Sequence, residues 1–357
     1  MISCDDDGDQ VAPDNTVTES DTVSNAGRTF KMGFTSWSFG PTQQDVDDTY
    51  AFLSEHGDIY VEHIDNNIPW NAWINDSTLP TAFTNEVIGK ANKKIAGKDL
   101  LISVSILNSN RDELAADLDG SIPEYTSLAD DQIEQAYTKH IDYLVGLFNP
   151  DYLVIAIEVN ELRLRSPEKW EGYTQLMDAV KSSMASNYPD LPISESISLH
   201  NLFEPDIADS EVYVDQIVSR VNQMDFASIS FYPFLKNQSS KEEMQLTFDF
   251  LHDQIKKPIA FVETSQIAEN LIIPNLNVSI SGSPTSQNDY LELLLENAGE
   301  QKYEFIIWWA HRDYDALWET FPVEVKDLGQ IWRDTGLLDE DGNERSSFQT
   351  WSTAFNQ

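Results

Sequence analysis

The sequence predicts an α/β protein built as a single (β/α)8 barrel. Three observations carry this expectation: short apolar runs alternate strictly with amphipathic segments over residues 29–357, there are eight such runs, and polar residues collect at the C-terminal end of nearly every run. In order, the runs are "FKMGFTSW", "DIYVEHID", "DLLISVSIL", "DYLVIAIEVNE", "PISESISLH", "DFASISFYPF", "KPIAFVETS" and "EFIIWWAHRD". Each is of strand length and rich in β-branched and aromatic residues. Between them lie helical patterns, among them "DVDDTYAFLSEHG", "PEKWEGYTQLMDAVKSSMA", "VDQIVSRVN", "KEEMQLTFDFLHDQI" and "QNDYLELLLENA". In "DDQIEQAYTKHIDYLVGLF" the residues Ile133, Ala136, Tyr137, Ile141, Leu144, Val145 and Phe148 recur at three-and-four spacing, which places them on one face of a helix. Strand and helix in strict alternation imply a parallel sheet covered by helices, and eight repeats favour closure. The alternative, an open doubly wound sheet, lacks the glycine-rich phosphate loop expected of it.

Composition narrows the function classes. With 61 Asp+Glu against 22 Lys+Arg the net charge is −39, a field that repels polyanions, so nucleic acid is not an expected partner. Such acidity suits a protein that stays soluble in salt or outside a cell. No apolar stretch approaches the roughly 20 residues of a membrane span. Cys4 is the single cysteine, which excludes an intramolecular disulfide and a cysteine-built zinc site. The opening "MISCDDDGDQVAPDNTVTESDTVSNAG" carries seven acidic residues before Arg28 and has no apolar periodicity. Residues 1–28 therefore read as a flexible acidic tether ahead of the domain at 29–357. "MISC" resembles the end of a bacterial lipoprotein signal, which implies lipidation at Cys4 and a secreted, periplasmic or surface-anchored protein; a chance cysteine in a tail is the alternative. A monomer without cofactor or metal is expected.

A barrel of this kind places its chemistry at the C-terminal ends of the strands. Trp37 ends the first, His63 and Asp65 the second, Asn160 and Glu161 the fourth, His200 the fifth, Tyr232 the sixth, Glu263 the seventh, and Trp308 with Trp309 the eighth. In "KPIAFVETS" regular alternation puts Ile259, Phe261 and Glu263 on one face, so that Glu263 extends an apolar stripe into the barrel mouth. In "YLVIAIEVNEL" alternation groups Glu158 with Asn160 and turns Glu161 away, so Asn160 and Glu161 both reach the site only if the strand end is irregular. A buried carboxylate needs a partner or a task. Glycoside hydrolysis uses two such groups, an acid that protonates the leaving oxygen and a second that attacks the anomeric carbon or activates water. The plainer alternative is that both glutamates pair with basic residues at the rim.

"EVNE" and "FVETS" resemble the two motifs of the clan of retaining glycoside hydrolases with (β/α)8 barrels, in which the acid/base follows an asparagine on strand four and the nucleophile ends strand seven. Within that clan the chain is most similar to the endo-β-1,4-galactanases, through "ISFYPF", the "KP…ET" strand, "QNDYLELLLENA" and the closing "TGLLDEDGNERSSFQTW". It departs from them after the sixth-strand proline, where "PFLKNQ" replaces their usual Trp-His-Gly. The resemblance implies Glu161 as general acid/base, Glu263 as nucleophile, Asn160 as a ligand of the sugar hydroxyl beside the anomeric carbon, and Tyr232 as the residue that orients Glu263. It implies a polysaccharide or oligosaccharide substrate, β-1,4-galactan first, with β-mannan and β-glucan as alternatives and a non-catalytic glycan-binding protein as a further one. The acid is expected to be protonated near neutral pH by negative charge or apolar walls, the nucleophile to stay ionised beside a tyrosine donor.

"HIDNNIPWNAW" brings His63, Asp65, Trp70 and Trp73 close in sequence, and sugar sites combine flat aromatic faces with hydroxyl-binding side chains. Trp37, Trp70, Trp308 and Trp309 are subsite candidates, although adjacent strand residues face opposite ways and one of the last two must be core. His63, Asp65 and His200 are alternatively metal ligands. "DEDGNE" resembles the start of a calcium loop but lacks its distal glutamate, and an Asp-Gly turn explains it better. "NLIIPNLNVSISGSPTSQ" is a long loop expected to shape a cleft.

Overall fold

The computed structural model describes residues 27–65 and 67–357. The strands are β1 (Lys31–Thr35), β2 (Ile59–Ile64), β3 (Asp99–Val104), β4 (Tyr152–Val154), β5 (Ile193–Ser194), β6 (Ser196–Ser198), β7 (Ala227–Phe231), β8 (Ile259–Thr264), β9 (Leu271–Ile273), β10 (Val278–Ile280) and β11 (Phe305–Trp308). One sheet runs β5-β4-β3-β2-β1-β11-β8-β7-β6, all of it parallel. Its two ends, β5 and β6, are halves of one run interrupted at Glu195, so the sheet returns on itself as the eight-strand barrel that the alternation predicts. Cys4 and all of the expected tether up to residue 26 lie outside the described residues. Arg28 already belongs to the domain: it pairs with Asp58 at 2.7 Å and packs over Phe355.

Period-two alternation divides the apolar residues between two cores. Ile59, Val61, Leu101, Val154, Ala260, Val262, Phe305 and Ile307 come from five strands, cluster apart from the helix-packed core and fill the barrel. Met32, Phe34, Tyr60, Leu100, Ile102, Phe261 and Trp308 point the other way, against helix residues such as Ile133, Ile141, Phe248 and Tyr290. The helix Asp131–Phe148 buries the residues whose spacing predicted it. Thr42, Ser240 and Ser283 close capping boxes that start the helices Gln43–His56, Lys241–Gln254 and Pro284–Gln301.

Two elements differ from the expectation, and both differences shape the site. The fourth strand ends at Val154, because Glu158 adopts φ +49° and turns the chain into the short helix Asn160–Arg165. The seventh strand carries a bulge. Ile229 pairs with Phe261 and Ser230 with Glu263, while on the other side Ile306 pairs with Phe261 and Trp308 with Thr264, so β8 holds one residue more than its neighbours just after Phe261. Phe261 therefore does not share the face of Glu263. It stacks outward on Tyr303 and Phe248, and the extra residue returns Glu263 to the barrel interior.

The loop over residues 270–287 is more ordered than its sequence suggests. It forms the antiparallel β9–β10 hairpin, whose Leu271 and Ile273 pack with Tyr232 and Phe234 beside the barrel mouth. "DEDGNE" is a turn: Asp339 accepts from the backbone of Asp341 and Asn343, Gly342 sits at φ +83°, and Leu338 pairs with Glu344.

Glu195 shows how a structural carboxylate is held here. It is buried behind the fifth strand, accepts from Tyr173 Oη at 3.0 Å and is held by the Nε–Nη2 edge of the Arg220 guanidinium, whose Nη1 pairs with Asp178. Arg220→Ala is expected to cost about 3–5 kcal/mol, because it leaves an unpaired charge in an apolar layer. A denaturant midpoint close to that of the parent would contradict this.

Candidate active site

Glu263, returned inward by the bulge, is received by donors from β2 and β7. His63 Nε2 lies 3.1 Å from its Oε2, and Ser230 Oγ lies 3.0 Å from its Oε1. The Tyr232 phenol lies close enough to feel its charge. His63 is itself steadied from β1, Thr35 Oγ1 lying 3.4 Å from its Nδ1. Burial raises the Glu263 pKa, but the His63 hydrogen bond and charge, the Ser230 hydroxyl and the Arg111 charge outweigh it, so the carboxyl sits below its ordinary value and stays ionised. Burial, then the charges of Glu263 and Glu158, push the Tyr232 phenol well above the tyrosine range, so it remains a donor.

Across the mouth, Glu161 occupies the first turn of the helix Asn160–Arg165 and is buried. Its Oε1 accepts from Ser198 Oγ and from Asn201 Nδ2 at 2.6 Å, and its Oε2 from Arg165 Nη2 at 3.0 Å. Burial raises its pKa, yet the Ser198 and Asn201 hydrogen bonds and the Arg165 charge prevail and hold it below the usual carboxylate value. The expectation that negative charge or apolar walls keep this group protonated is therefore not met in the free protein. An i, i+4 arginine and two polar donors surround it instead.

Asn160 is wholly buried and engaged within the protein. Its Nδ2 donates to Tyr213 Oη at 2.8 Å and to the Ser198 carbonyl at 3.0 Å, and its Oδ1 accepts from Ser198 N at 2.8 Å. It ties the helix carrying Glu161 to the fifth strand. His200 is buried, feels the charges of both Glu161 and Glu263, and has no partner at Nδ1; burial lowers its pKa to about 4, so it is neutral.

The aromatic candidates separate cleanly. Trp37 stacks at 5.3 Å on Trp309, which in turn lies against His63, and the indole N–H groups of Trp37, Trp309 and Trp332 are buried without a partner. Trp308 and Trp70 do not reach this surface. Trp308 faces the helices and donates to the Thr335 carbonyl at 2.9 Å, because it precedes Trp309 on the opposite face of the strand. Trp70 is enclosed with Tyr137 and donates to the Ala115 carbonyl at 2.7 Å, since its helix buries that side against the helix Asp131–Phe148. Asp65 is exposed in the loop after β2. Among the described residues, the acidic or histidine groups near enough to share an ion are Glu269–Asp313–Glu340 and Asp313–Asp315–Asp334, and neither includes His63, Asp65 or His200.

Sequence reasoning gave no role beside the two glutamates to Ser198, Asn201, Arg165, Arg111 or Ser230. Ser230 alone had a signal: in "SISFY" the small polar residues Ser228 and Ser230 alternate into line with Tyr232. Ser198 comes from the fifth strand, Asn201 from the helix after it, Arg111 from a loop and Arg165 from the end of the short helix that carries Glu161, and no periodicity marks them.

No protein-family model matches the chain, and no curated protein matches it. Solved structures do. A variant of GH5_18 from Bifidobacterium longum subsp. longum in complex with Manb1-4GlcNAc shares 15% identity at a TM-score of 0.67, over 92% of this chain and 78% of that one. The GH53 catalytic domain of Ignisphaera aggregans shares 16% at a TM-score of 0.57, over 92% and 91%. A fungal β-1,4-galactanase shares 15% at a TM-score of 0.55, over 85% and 90%. The structures that the chain resembles are (β/α)8 glycoside hydrolases of one clan, and their fold is the fold of this protein.

Proposed function

We propose that the protein is a retaining β-glycosidase that cleaves a β-1,4-linked hexose polymer by double displacement, with Glu161 as acid/base and Glu263 as nucleophile. The observation that carries the proposal is the pair of carboxylates at the barrel mouth, Glu161 on the helical turn after the fourth strand and Glu263 at the end of the seventh, each with a different set of donors and both acting on His200. Glu263, held ionised by His63, Ser230 and Arg111, attacks the anomeric carbon. Glu161 protonates the departing oxygen and then, as the base, draws a proton from the water that releases the sugar. Trp37 and Trp309 offer the flat faces for sugar rings. Substrate seated on Trp309 also excludes water, which favours the neutral acid on Glu161.

Galactan remains the first substrate to try, and the mannose-containing ligand and the mannanase among the structural neighbours make mannan the second. A neutral polymer suits a chain of net charge −39. We place the protein outside the cytoplasm on the acidic opening and Cys4. The test is reducing-sugar release from β-1,4-galactan, β-mannan and β-glucan by the parent and by Glu161→Gln/Glu263→Gln. Release by the parent alone is expected; polysaccharide binding with no release by either points to the glycan-binding alternative.

If Arg165 is what holds Glu161 below its usual pKa, Arg165→Gln removes a cation and raises that pKa. The acid form then persists further, and the alkaline limb of kcat/KM on polysaccharide moves to higher pH, while Arg165→Lys leaves it near the parent position. A limb displaced toward acid in Arg165→Gln would contradict the role of Glu161 as proton donor.

A further inference from the structure

A third, partly buried carboxylate at the same site has no part in that mechanism. Glu158 is held at φ +49°, a region costly for a residue with a side chain, and its backbone N–H is fixed by Ser196 Oγ at 2.9 Å. Its carboxyl reaches the space that Glu263 enters from the other side. Ser230 Oγ lies 2.9 Å from Glu158 Oε1 and 3.0 Å from Glu263 Oε1, so one hydroxyl stands between two carboxyl groups.

A serine hydroxyl has one proton to donate. If both carboxyls are ionised they compete for it, and Glu263 loses the donor for part of the time. If Glu158 is protonated, it donates to Ser230 and frees the serine proton for Glu263, so the three groups form one directed chain. We propose that Glu158 is a positioning residue whose protonation, relayed through Ser230, decides whether Glu263 keeps its second strand-borne donor. The inference rests on the reading of Glu263 as nucleophile for its catalytic consequence, and on geometry alone for the relay.

The surroundings of Glu158 make this switch effective near neutrality. Arg111, from the loop after β3, lies 3.5 Å away and favours the anion; Glu263 from β8 and Glu161 from the same segment oppose it, and the Tyr232 phenol after β7 feels its charge. Burial is the largest influence, and together with the two neighbouring glutamates it pushes Glu158 up to about 7, against Arg111 and Ser230. His63 holds the far oxygen of Glu263 throughout.

The relay is tested on the full chain labelled with carboxyl-13C glutamate. A carboxyl signal titrating near neutral pH is expected, missing from Glu158→Gln. The Glu263 signal, assigned by its loss in Glu263→Gln, is expected to move in the same step, and Ser230→Ala should shrink that movement to its through-space remainder. A Glu263 signal blind to the neutral step, or an undiminished step in Ser230→Ala, overturns the relay. The catalytic consequence is read on a 2,4-dinitrophenyl β-glycoside, whose departure needs no acid. There kcat/KM should fall about three- to tenfold as pH rises through neutrality, the worth of one contested hydrogen bond. Glu158→Gln, which keeps a donor toward Ser230, should lack that fall. If Glu158→Gln instead spares the activated glycoside but abolishes polysaccharide cleavage, Glu158 is the proton donor and the positioning role is wrong. Absence of any glycoside turnover in the parent removes the hydrolase reading, and the carboxyl titration still decides the relay.

Discussion

Glu263→Ala loses hydrolysis of an activated β-glycoside by on the order of 10⁴-fold or more, the scale on which removal of an attacking group is felt. The side chain fills a partly buried position between His63 Nε2 and Ser230 Oγ, so alanine leaves a small polar void opposite the scissile bond rather than a collapsed wall. Azide or formate fits such a void, and His63 and Ser230 are donors that hold an anion there. Added azide is therefore expected to restore a measurable part of the rate and to yield a glycosyl azide of inverted configuration, because it attacks from the vacant side. Failure of several small anions to restore any turnover, or an azide product of retained configuration, would assign the nucleophile elsewhere.

Glu161→Ala separates the two roles. It removes the proton donor, and polysaccharide cleavage is expected to fall by about 10²- to 10⁴-fold, the usual share of general acid catalysis. A dinitrophenyl glycoside, whose leaving group needs no proton, should still form the glycosyl-enzyme, and the slow step becomes its hydrolysis. Azide then attacks the covalent intermediate and gives product of retained configuration, the opposite of the Glu263→Ala outcome. Exchange of the two stereochemical results between the variants would mean that the assignments are reversed. Removal of Glu161 also leaves Arg165, Ser198 and Asn201 without their common acceptor, but Asn160, Ser198 and Tyr213 stay bonded to one another and hold the helix in place.

The barrel is legible because its signal is repeated and local. Eight apolar runs and the three-and-four spacing of segments such as residues 131–148 report the layer each residue joins without knowledge of the rest. The C-terminal ends of the strands are legible for the same reason, since polar residues there interrupt the pattern. The aim of individual side chains is not, because it depends on pairing between strands. Glu263 was expected inward on the same face as Phe261; it is inward, but only because β8 gains a residue against β7 and β11, and Phe261 faces the helices. Asn160 and Glu161 belong to a helical turn released by Glu158, not to a strand, and nothing in "EVNE" fixes a left-handed glutamate. Trp308 and Trp309 had to face opposite ways; which one met the cleft was decided by the register at the end of β11. The donors that set the charge of Glu161, namely Ser198, Asn201 and Arg165, come from the fifth strand, the helix after it and one turn further along its own helix, and only the folded chain brings them together.

The central claim is covalent attack by Glu263, and trapping tests it most directly. A 2-deoxy-2-fluoro β-glycoside with a dinitrophenyl leaving group slows both steps through its fluorine while the leaving group keeps the first step viable, so the glycosyl-enzyme accumulates. Mass spectrometry of the digested protein is predicted to place one fluoroglycosyl group on the peptide bearing Glu263, with none on that peptide in Glu263→Gln. An adduct on Glu158 or Glu161, or no adduct from an enzyme whose first product has inverted configuration, would contradict the account.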